Sequence, residues 1–313
     1  MISILCFYFI IRSIIKLGID FDQLSNKWYL LYVPFSVVIY ALLIVLMAFV
    51  WKLILEFIIG ERIGFITTFV VYSKSNIGKY LPTNTMHFVA RNIIGNKRGW
   101  KHSDIAFSSL LETVLVLFTG TILALLFNYT DFSRFLNKKY NDMNNGYYAL
   151  IGILLLTVTV ISAIWLLLKN KVMWNRFKQI LTKSFLLVST KTVILYSIQF
   201  MLMGLLLFFL LNINTNGNHS YVLAFKVISV YSLAWIVGFI FPGSPGGIGV
   251  REATLVLLLS PIFGESNALI SIVLHRLITI LGDGVAFLIG FWLTKGEVGG
   301  GYYETNNSNS MSE

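Results

Sequence analysis

Residues 241–260 read FPGSPGGIGVREATLVLLLS and interrupt a strongly apolar part of the chain. Proline lacks an amide donor and glycine permits backbone conformations closed to other residues, so PGSPGGIG cannot continue a helix. A helical pattern resumes after Gly249, with Glu252 in its first turn, where the helix dipole favours an acid. The stretch therefore predicts a helix break at Pro245 and Gly246, followed by a new helix. A tight turn at the membrane interface is the alternative interpretation.

The start of this new helix suits an anion. Its first amides have no partner within the helix, and Arg251 adds a positive charge beside them, an arrangement suited to a phosphate. We assign Arg251, Gly247 and Gly249 to this predicted site. A soluble nucleotide is disfavoured, because the glycines match neither GxGxxG after a strand nor a phosphate loop ending in GK[ST].

The composition on either side of the break is that of a membrane protein. The chain has 313 residues, of which 57% are hydrophobic and 12% charged, whereas soluble domains are about 25% charged. Long continuous apolar runs predict spanning helices of roughly 20 residues, not the alternating strands of a barrel. We predict an all-α polytopic transmembrane helix bundle with about 7–8 hydrophobic segments, some broken or re-entrant near Pro82 and Pro245. The predicted segments are 1–17, 32–58, 106–127, 147–168, 188–211, 221–241, 245–261 and 268–294.

The sequence predicts a single transmembrane domain over residues 1–296. Residues 297–313 are rich in Gly, Asn and Ser and have too little apolar surface to fold alone, so a disordered polar tail is predicted. Cys6 is the only cysteine, which excludes an intrachain disulfide and a cysteine-rich metal site. We predict neither a metal nor a cofactor.

The net charge of +10 is concentrated in two connections, residues 60–104 and 169–183. Basic loops beside membrane helices mark the cytoplasmic side, which predicts a multi-pass protein of the cell membrane with both connections in the cytoplasm. Nucleic acid is not an expected partner, since no RNA- or DNA-binding module is visible.

Residues 76–91 read NIGKYLPTNTMHFVAR and place charges beside helix-breaking residues. Charged groups at membrane depth are costly and usually face the bundle interior or a water-filled cavity. We therefore interpret this segment as a second break, at Pro82, that presents Lys79 and Arg91 to an anionic head group. A cytoplasmic turn with a solvated lysine and arginine is the alternative.

Three further charged residues lie inside apolar segments. Glu112 interrupts AFSSLLETVLVLFTG, and either a structural ion pair or a transport role explains it. Arg276 and Asp283 lie on one face of the last predicted helix with Thr279 between them. Their axial separation of about 10 Å is long for a direct ion pair, so another helix or water is expected to bridge them.

The motif PGGIGVRE at 245–252, KYLP at 79–82 with Arg91 and Glu112, and an arginine in the last helix resemble the lysylphosphatidylglycerol synthase transmembrane-region family. Thr83 stands where that family often has glycine. The resemblance implies a lipid-flipping membrane domain. Its two-domain relatives carry a soluble aminoacyl-transferase domain, so aminoacyl-lipid synthesis by this chain alone is disfavoured. The residues carried over are Lys79, Tyr80, Pro82, Arg91, Glu112, Pro245, Gly246, Gly247, Gly249, Glu252 and Arg276.

The leading hypothesis is a flippase, not an enzyme, that moves an anionic phospholipid or polyprenyl-linked lipid between leaflets. The expected head-group ligands are Lys79, Arg91, Gly247, Gly249, Arg251 and Arg276. Glu112, Glu252 and Asp283 would balance these cations and gate the site, and Pro82, Pro245 and Gly246 would shape the breaks. The alternatives are a membrane enzyme with a glutamate as general base, and an accessory subunit of a separately encoded glycosyltransferase or aminoacyl-transferase.

Overall fold

The computed structural model describes the backbone of residues 27–81, 85–126, 182–213, 222–241 and 244–307, with side chains between 30 and 294. This part of the chain contains eight α-helices and no strand. The helices are α1 (Lys27–Ile59), α2 (Phe65–Asn76), α3 (Met86–Asn96), α4 (His102–Leu126), α5 (Lys183–Ile213), α6 (Val222–Ile240), α7 (Val250–Phe263) and α8 (Glu265–Asn307). Six stretches are long and apolar enough to cross a membrane: five lie within α1, α4, α5, α6 and α8, and the sixth, Pro245–Phe263, comprises α7 and the turn before it. The predicted polytopic helix bundle is confirmed.

The predicted hydrophobic segments match the helices closely where both can be compared. Segments 32–58, 106–127, 188–211 and 221–241 correspond to α1, α4, α5 and α6, and 268–294 lies within α8. The predicted spans 1–17 and 147–168 lie outside the described residues. The polar tail stays a prediction: α8 is assigned to Asn307, and residues 308–313 also lie outside the described part.

Small residues bring the helices into close contact. A Cβ atom at Gly204 of α5 would lie 2.6 Å from the Cα atom of Ile228 in α6, and one at Gly282 of α8 would collide with the ring of Tyr40 in α1. Lipid tails are as apolar as leucine, so helices in a bilayer associate through such packing and through interhelical hydrogen bonds. The hydrophobic core of the bundle contains buried side chains from α1, α2, α4, α5, α6, α7 and α8.

The first predicted break lies between α2 and α3. After Asn76 the chain forms one 3₁₀ turn, Ile77–Tyr80, and then becomes extended at Leu81 before α3 begins. Pro82 itself lies outside the described residues. The 3₁₀ turn packs on the start of α3, because a Cβ atom at Gly78 would lie 2.9 Å from the amide nitrogen of His87.

The second predicted break lies between α6 and α7. It contains a 3₁₀ turn, Pro245–Gly247, and Gly246, Gly247 and Gly249 have φ values of 58°, 74° and 88°. Only glycine adopts these values readily, which explains why the sequence has glycine there. The α7 helix has 14 residues and is about 21 Å long, shorter than a ~30 Å hydrocarbon layer. Gly264 alone joins it to α8.

Candidate functional site

The two breaks meet inside the bundle. The guanidinium of Arg276 donates through Nη2 to the carbonyl of Gly246 at 3.0 Å. A Cβ atom at Gly246 would lie 3.5 Å from both the carbonyl oxygen of Lys79 and the ring of Tyr80. A cavity of about 120 Å³ lies beside this contact, with walls from both breaks and from all eight described helices. The predicted site residues on its walls are Lys79, Arg91, Glu112, Gly246, Gly247, Arg251 and Arg276.

Arg91 is the most deeply buried cation of the cavity, with 2% of its side chain exposed. Its Nη1 atom forms an ion pair with Oε2 of Glu112. The other carboxylate oxygen accepts hydrogen bonds from the hydroxyls of Tyr72 (3.3 Å) and Tyr196 (2.8 Å). The guanidinium also lies over the rings of Tyr72 and Trp51, at 4.2 and 4.8 Å from their centroids. This cluster joins α3 to α1, α2, α4 and α5.

Lys79 forms the second ion pair, with Asp283 of α8. The distance from Nζ to Oδ2 is 2.7 Å. The carboxylate also accepts hydrogen bonds from Asn76 Nδ2 (2.8 Å), the Tyr80 hydroxyl (2.5 Å) and the Tyr40 hydroxyl (3.4 Å). Burial lowers the pKa of the Lys79 amine, and the charge of Asp283 opposes that shift. The first break is thereby fixed to the last helix.

Glu252 and Arg276 form the third and longest pair, with 3.5 Å between Oε1 and Nε. The other oxygen of Glu252 accepts the Gly249 amide at 2.5 Å. The Glu252 carboxylate therefore binds an amide at the start of α7 that we predicted from the sequence to bind a phosphate. Gly249 is not among the residues that line the cavity. As the helix spacing predicts, Arg276 and Asp283 do not pair with each other.

Arg251 differs from the other three cations. Among the described residues it forms no ion pair, and its guanidinium carbon lies 5.8 Å from the centroid of the Trp235 ring. Its Nε atom is buried without a hydrogen-bond partner, as are the Nε atoms of Arg91 and Arg276. Buried polar atoms are normally hydrogen-bonded. The Nε atoms of three arginines on the wall of one cavity thus lack a hydrogen-bond acceptor among the described residues.

The comparison with known protein families covers both breaks and all three ion pairs. The model of the family described as the lysylphosphatidylglycerol synthase TM region matches residues 1–286. The chain belongs to this lysylphosphatidylglycerol synthase transmembrane-region family. No curated protein and no solved structure gives a significant match. Membership and the six candidate spans make the chain a multi-pass membrane protein.

The sequence alone did not reveal which uncharged side chains line the cavity of this family member. Tyr196 and Gln199 of α5, Trp235 of α6 and Tyr40 of α1 all contribute to its walls. Gln199 is 4% exposed, and its Oε1 atom has no hydrogen-bond partner. An amide within the apolar run ILYSIQFMLMG was a detectable signal, because polar groups in membrane helices usually face a cavity or another helix.

The chemistry that this cavity favours is the binding of an anion. Four cations, Lys79, Arg91, Arg251 and Arg276, face the cavity or its rim, whereas three carboxylates neutralise three of them. The described residues contain no group of three or more His, Cys, Asp or Glu side chains arranged to bind a metal ion. Within the part of the chain that the structure describes, one positive charge of the cavity has no carboxylate partner, that of Arg251.

Proposed function

We propose that the chain is a lipid transporter of the cell membrane, which moves an anionic phospholipid or a polyprenyl-linked lipid between leaflets. The observation that carries the proposal is Arg251, a cation without a carboxylate partner among the described residues, on the wall of a cavity inside a membrane bundle. A charge in this position is costly unless a counterion joins it. The phosphate of a lipid head group is the counterion that a membrane supplies in quantity.

The pairing of the two breaks supports transport over static binding. Interrupted helices in two parts of a chain, meeting at a common site, are typical of transporters that alternate access to that site. Here Gly246 of one break contacts Lys79 of the other. Both segments therefore bear on the cavity, and a movement of either one changes its shape.

The loosest ion pair suggests how a ligand is exchanged. Glu252 lies 3.5 Å from Arg276, and an entering phosphate competes with it for the guanidinium. When the lipid leaves, the carboxylate takes its place again and closes the site. The affinities of the inward-facing and outward-facing states must then differ only modestly, since a ligand that binds one state alone would hold the protein there.

The test is reconstitution of the purified protein in liposomes that contain acyl-labelled lipids. We expect movement of an anionic lipid that Arg251→Ala abolishes. Arg62→Ala is the matched control, because Arg62 is exposed and does not line the cavity. If the wild-type protein moves no more lipid than empty vesicles, for several anionic lipids, transport is wrong. Wild-type activity of Arg251→Ala would remove the phosphate-site assignment.

The family description supports a second candidate, an accessory subunit of a separately encoded lipid-modifying enzyme. The matched model is the membrane region of a synthase, and we propose that this chain has no catalytic activity of its own. Co-purification of a glycosyltransferase or aminoacyl-transferase, with no lipid movement by the chain alone, would favour this role. Formation of a new lipid product by the purified chain would contradict the proposed lack of catalysis.

A further inference from the structure

We propose that the cavity binds the polar substituent of a lipid phosphodiester as well as its phosphate, and that Gln199 recognises this substituent. This inference rests on the proposed transport function and specifies its substrate. The substrate is a lipid whose phosphate carries a short group with a hydrogen-bond donor, a hydroxyl or an amine. A diester whose substituent is a bare hydrocarbon is the disfavoured ligand.

Most polar side chains on the cavity wall already have partners within the protein. The uncharged groups that donate to Glu112 or Asp283 are Tyr40, Tyr72, Asn76 and Tyr196. Thr113 and Thr279 donate to carbonyls of their own helices. None of these side chains can donate to a ligand unless it first gives up a bond to the protein.

Three uncharged polar groups on the wall have no partner among the described residues. They are the Oε1 atom of Gln199, the hydroxyl of Tyr231 and the indole nitrogen of Trp235. Gln199 and Tyr231 are 4% and 2% exposed. A buried polar group without a hydrogen bond is costly, and such groups are normally satisfied. Because the Gln199 oxygen is an acceptor, the group that satisfies it carries an O–H or an N–H.

These three groups and Arg251 lie along one wall. Tyr231 and Trp235 are four residues apart on α6 and project from the same face of the helix. The ring of Phe200, the neighbour of Gln199 in α5, packs edge-on against both, with centroids 6.4 and 5.4 Å apart. The guanidinium carbon of Arg251 lies 5.8 Å from the centroid of Trp235. A phosphate held by Arg251 can therefore extend its substituent along α6 toward Tyr231 and Gln199.

The size of the cavity limits the substituent. At roughly 30 Å³ for each water molecule, a cavity of about 120 Å³ has room for a phosphate and a short polar group. The acyl chains must remain outside. A short polyol or amino alcohol on the phosphate fits these limits.

Thr192 provides a comparison for Gln199 on the same helix. Its Oγ1 atom is also buried without a hydrogen-bond partner among the described residues. Thr192 does not line the cavity, whereas Gln199, two turns further along α5, does. Location on the cavity wall therefore separates the proposed ligand group from an unpaired hydroxyl elsewhere in the bundle.

The first experiment measures binding to the full chain in detergent, as the concentration-dependent rise in unfolding temperature that a ligand of the folded state produces. The probes are dioctanoyl phosphatidylglycerol and dioctanoyl phosphatidylmethanol, which carry the same single charge and differ in the hydroxyls of the substituent. We expect phosphatidylglycerol to bind about tenfold more tightly, a difference of about 1.4 kcal/mol.

A third probe distinguishes a hydroxyl from an amine as the donor. Dioctanoyl phosphatidylserine also has one net negative charge but offers an ammonium group. Tighter binding than that of phosphatidylglycerol would assign the donor to an amine, and weaker binding would assign it to a hydroxyl. Binding of both lipids no tighter than that of phosphatidylmethanol would overturn the proposal.

Three variants test the residue assignment. Gln199→Leu removes the acceptor at similar volume, so the tenfold ratio between phosphatidylglycerol and phosphatidylmethanol should fall to within about twofold of unity. Tyr231→Phe should reduce the ratio less, about threefold, because Gln199 remains. Thr192→Val is the matched control on α5 and should leave the ratio unchanged.

The outcomes separate this proposal from the transport function. An unchanged ratio in a folded Gln199→Leu protein overturns the assignment and leaves the amide to water alone. Should that variant fail to fold, Tyr231→Phe decides, and an unaltered ratio there overturns the proposal. If binding discriminates as expected but no lipid moves in liposomes, transport is wrong and the binding site stands. If lipid moves while binding does not discriminate, transport stands and recognition by Gln199 is wrong.

Discussion

Arg91 and Arg251 line the same cavity but have opposite surroundings. Arg91 is buried against Glu112 and lies over two aromatic rings. Arg251 is only partly buried, forms no ion pair among the described residues, and faces a single ring at 5.8 Å. Both were predicted from the sequence as phosphate ligands. The difference shows that a buried charge can either stabilise the fold or bind a ligand. The presence or absence of a carboxylate partner distinguishes the two cases.

The first test of this contrast removes the carboxylate partner of Arg91. Glu112→Gln keeps the shape of the side chain but leaves Arg91 buried without a counterion, which should destabilise the protein by about 3–5 kcal/mol. Thermal unfolding in detergent, followed by tryptophan fluorescence, measures the loss. The double variant Arg91→Met with Glu112→Gln should recover most of it, because both charges are then absent. A stable Glu112→Gln protein would show that this pair does not support the fold.

A smaller effect is expected at the break that positions Arg251. Gly247 has a φ of 74°, and a Cβ atom there would lie 3.3–3.4 Å from backbone atoms of Gly238. Gly247→Ala should cost about 1–2 kcal/mol, the penalty of the left-handed region for other residues. Gly284→Ala in α8 is the control, since nothing lies within 4 Å of the added atom. Equal unfolding temperatures for the two variants would contradict the assigned role of the glycine.

The smallest change in stability is expected at Arg251 itself. Removing an unpaired cation that faces three others relieves repulsion, so Arg251→Gln should leave the free energy of unfolding within about 1 kcal/mol of the wild type. The same unfolding assay measures it, next to the lipid assay in which this variant should be inactive. A loss as large as that of Glu112→Gln would place Arg251 among the structural charges and remove the contrast with Arg91.

Sequence reasoning went furthest where the physical signal is local. Helix breaks follow from proline and glycine alone, and apolar runs of spanning length follow from the thickness of a bilayer. Both breaks, five of the long helices and the new helix after Gly249 could therefore be placed. The pairing of Lys79 with Asp283 could not be predicted, because it depends on how segments about 200 residues apart meet. Lys79 and Asp283 were each identified as buried charges, but nothing in their own neighbourhoods indicates that they contact each other.

The candidate site was predictable as a set of residues and not as an arrangement. The spacing along one helix correctly predicted that Arg276 and Asp283 do not form an ion pair. The hydrogen bond from the Gly249 amide to Glu252 was not predicted, and it competes with a ligand for that amide. Two outcomes, an open helix terminus or a self-capped one, are compatible with the same eight letters, PGGIGVRE. Only the three-dimensional placement of Arg276, which holds the second oxygen of Glu252, distinguishes them.

The joint at Gly264 has a mechanical consequence. It is one residue long, and a Cβ atom there would have nothing within 4 Å, so side-chain crowding does not oppose a bend at this position. Arg251 lies near the far end of α7, about 20 Å away at ~1.5 Å per residue. As a rigid lever pivoting on Gly264, α7 would carry Arg251 and Glu252 through roughly 3–4 Å for a turn of about 10°. Arg276 lies on the other side of the pivot and would not move with α7. Even this small rotation would therefore separate Glu252 from Arg276, the longest of the ion pairs.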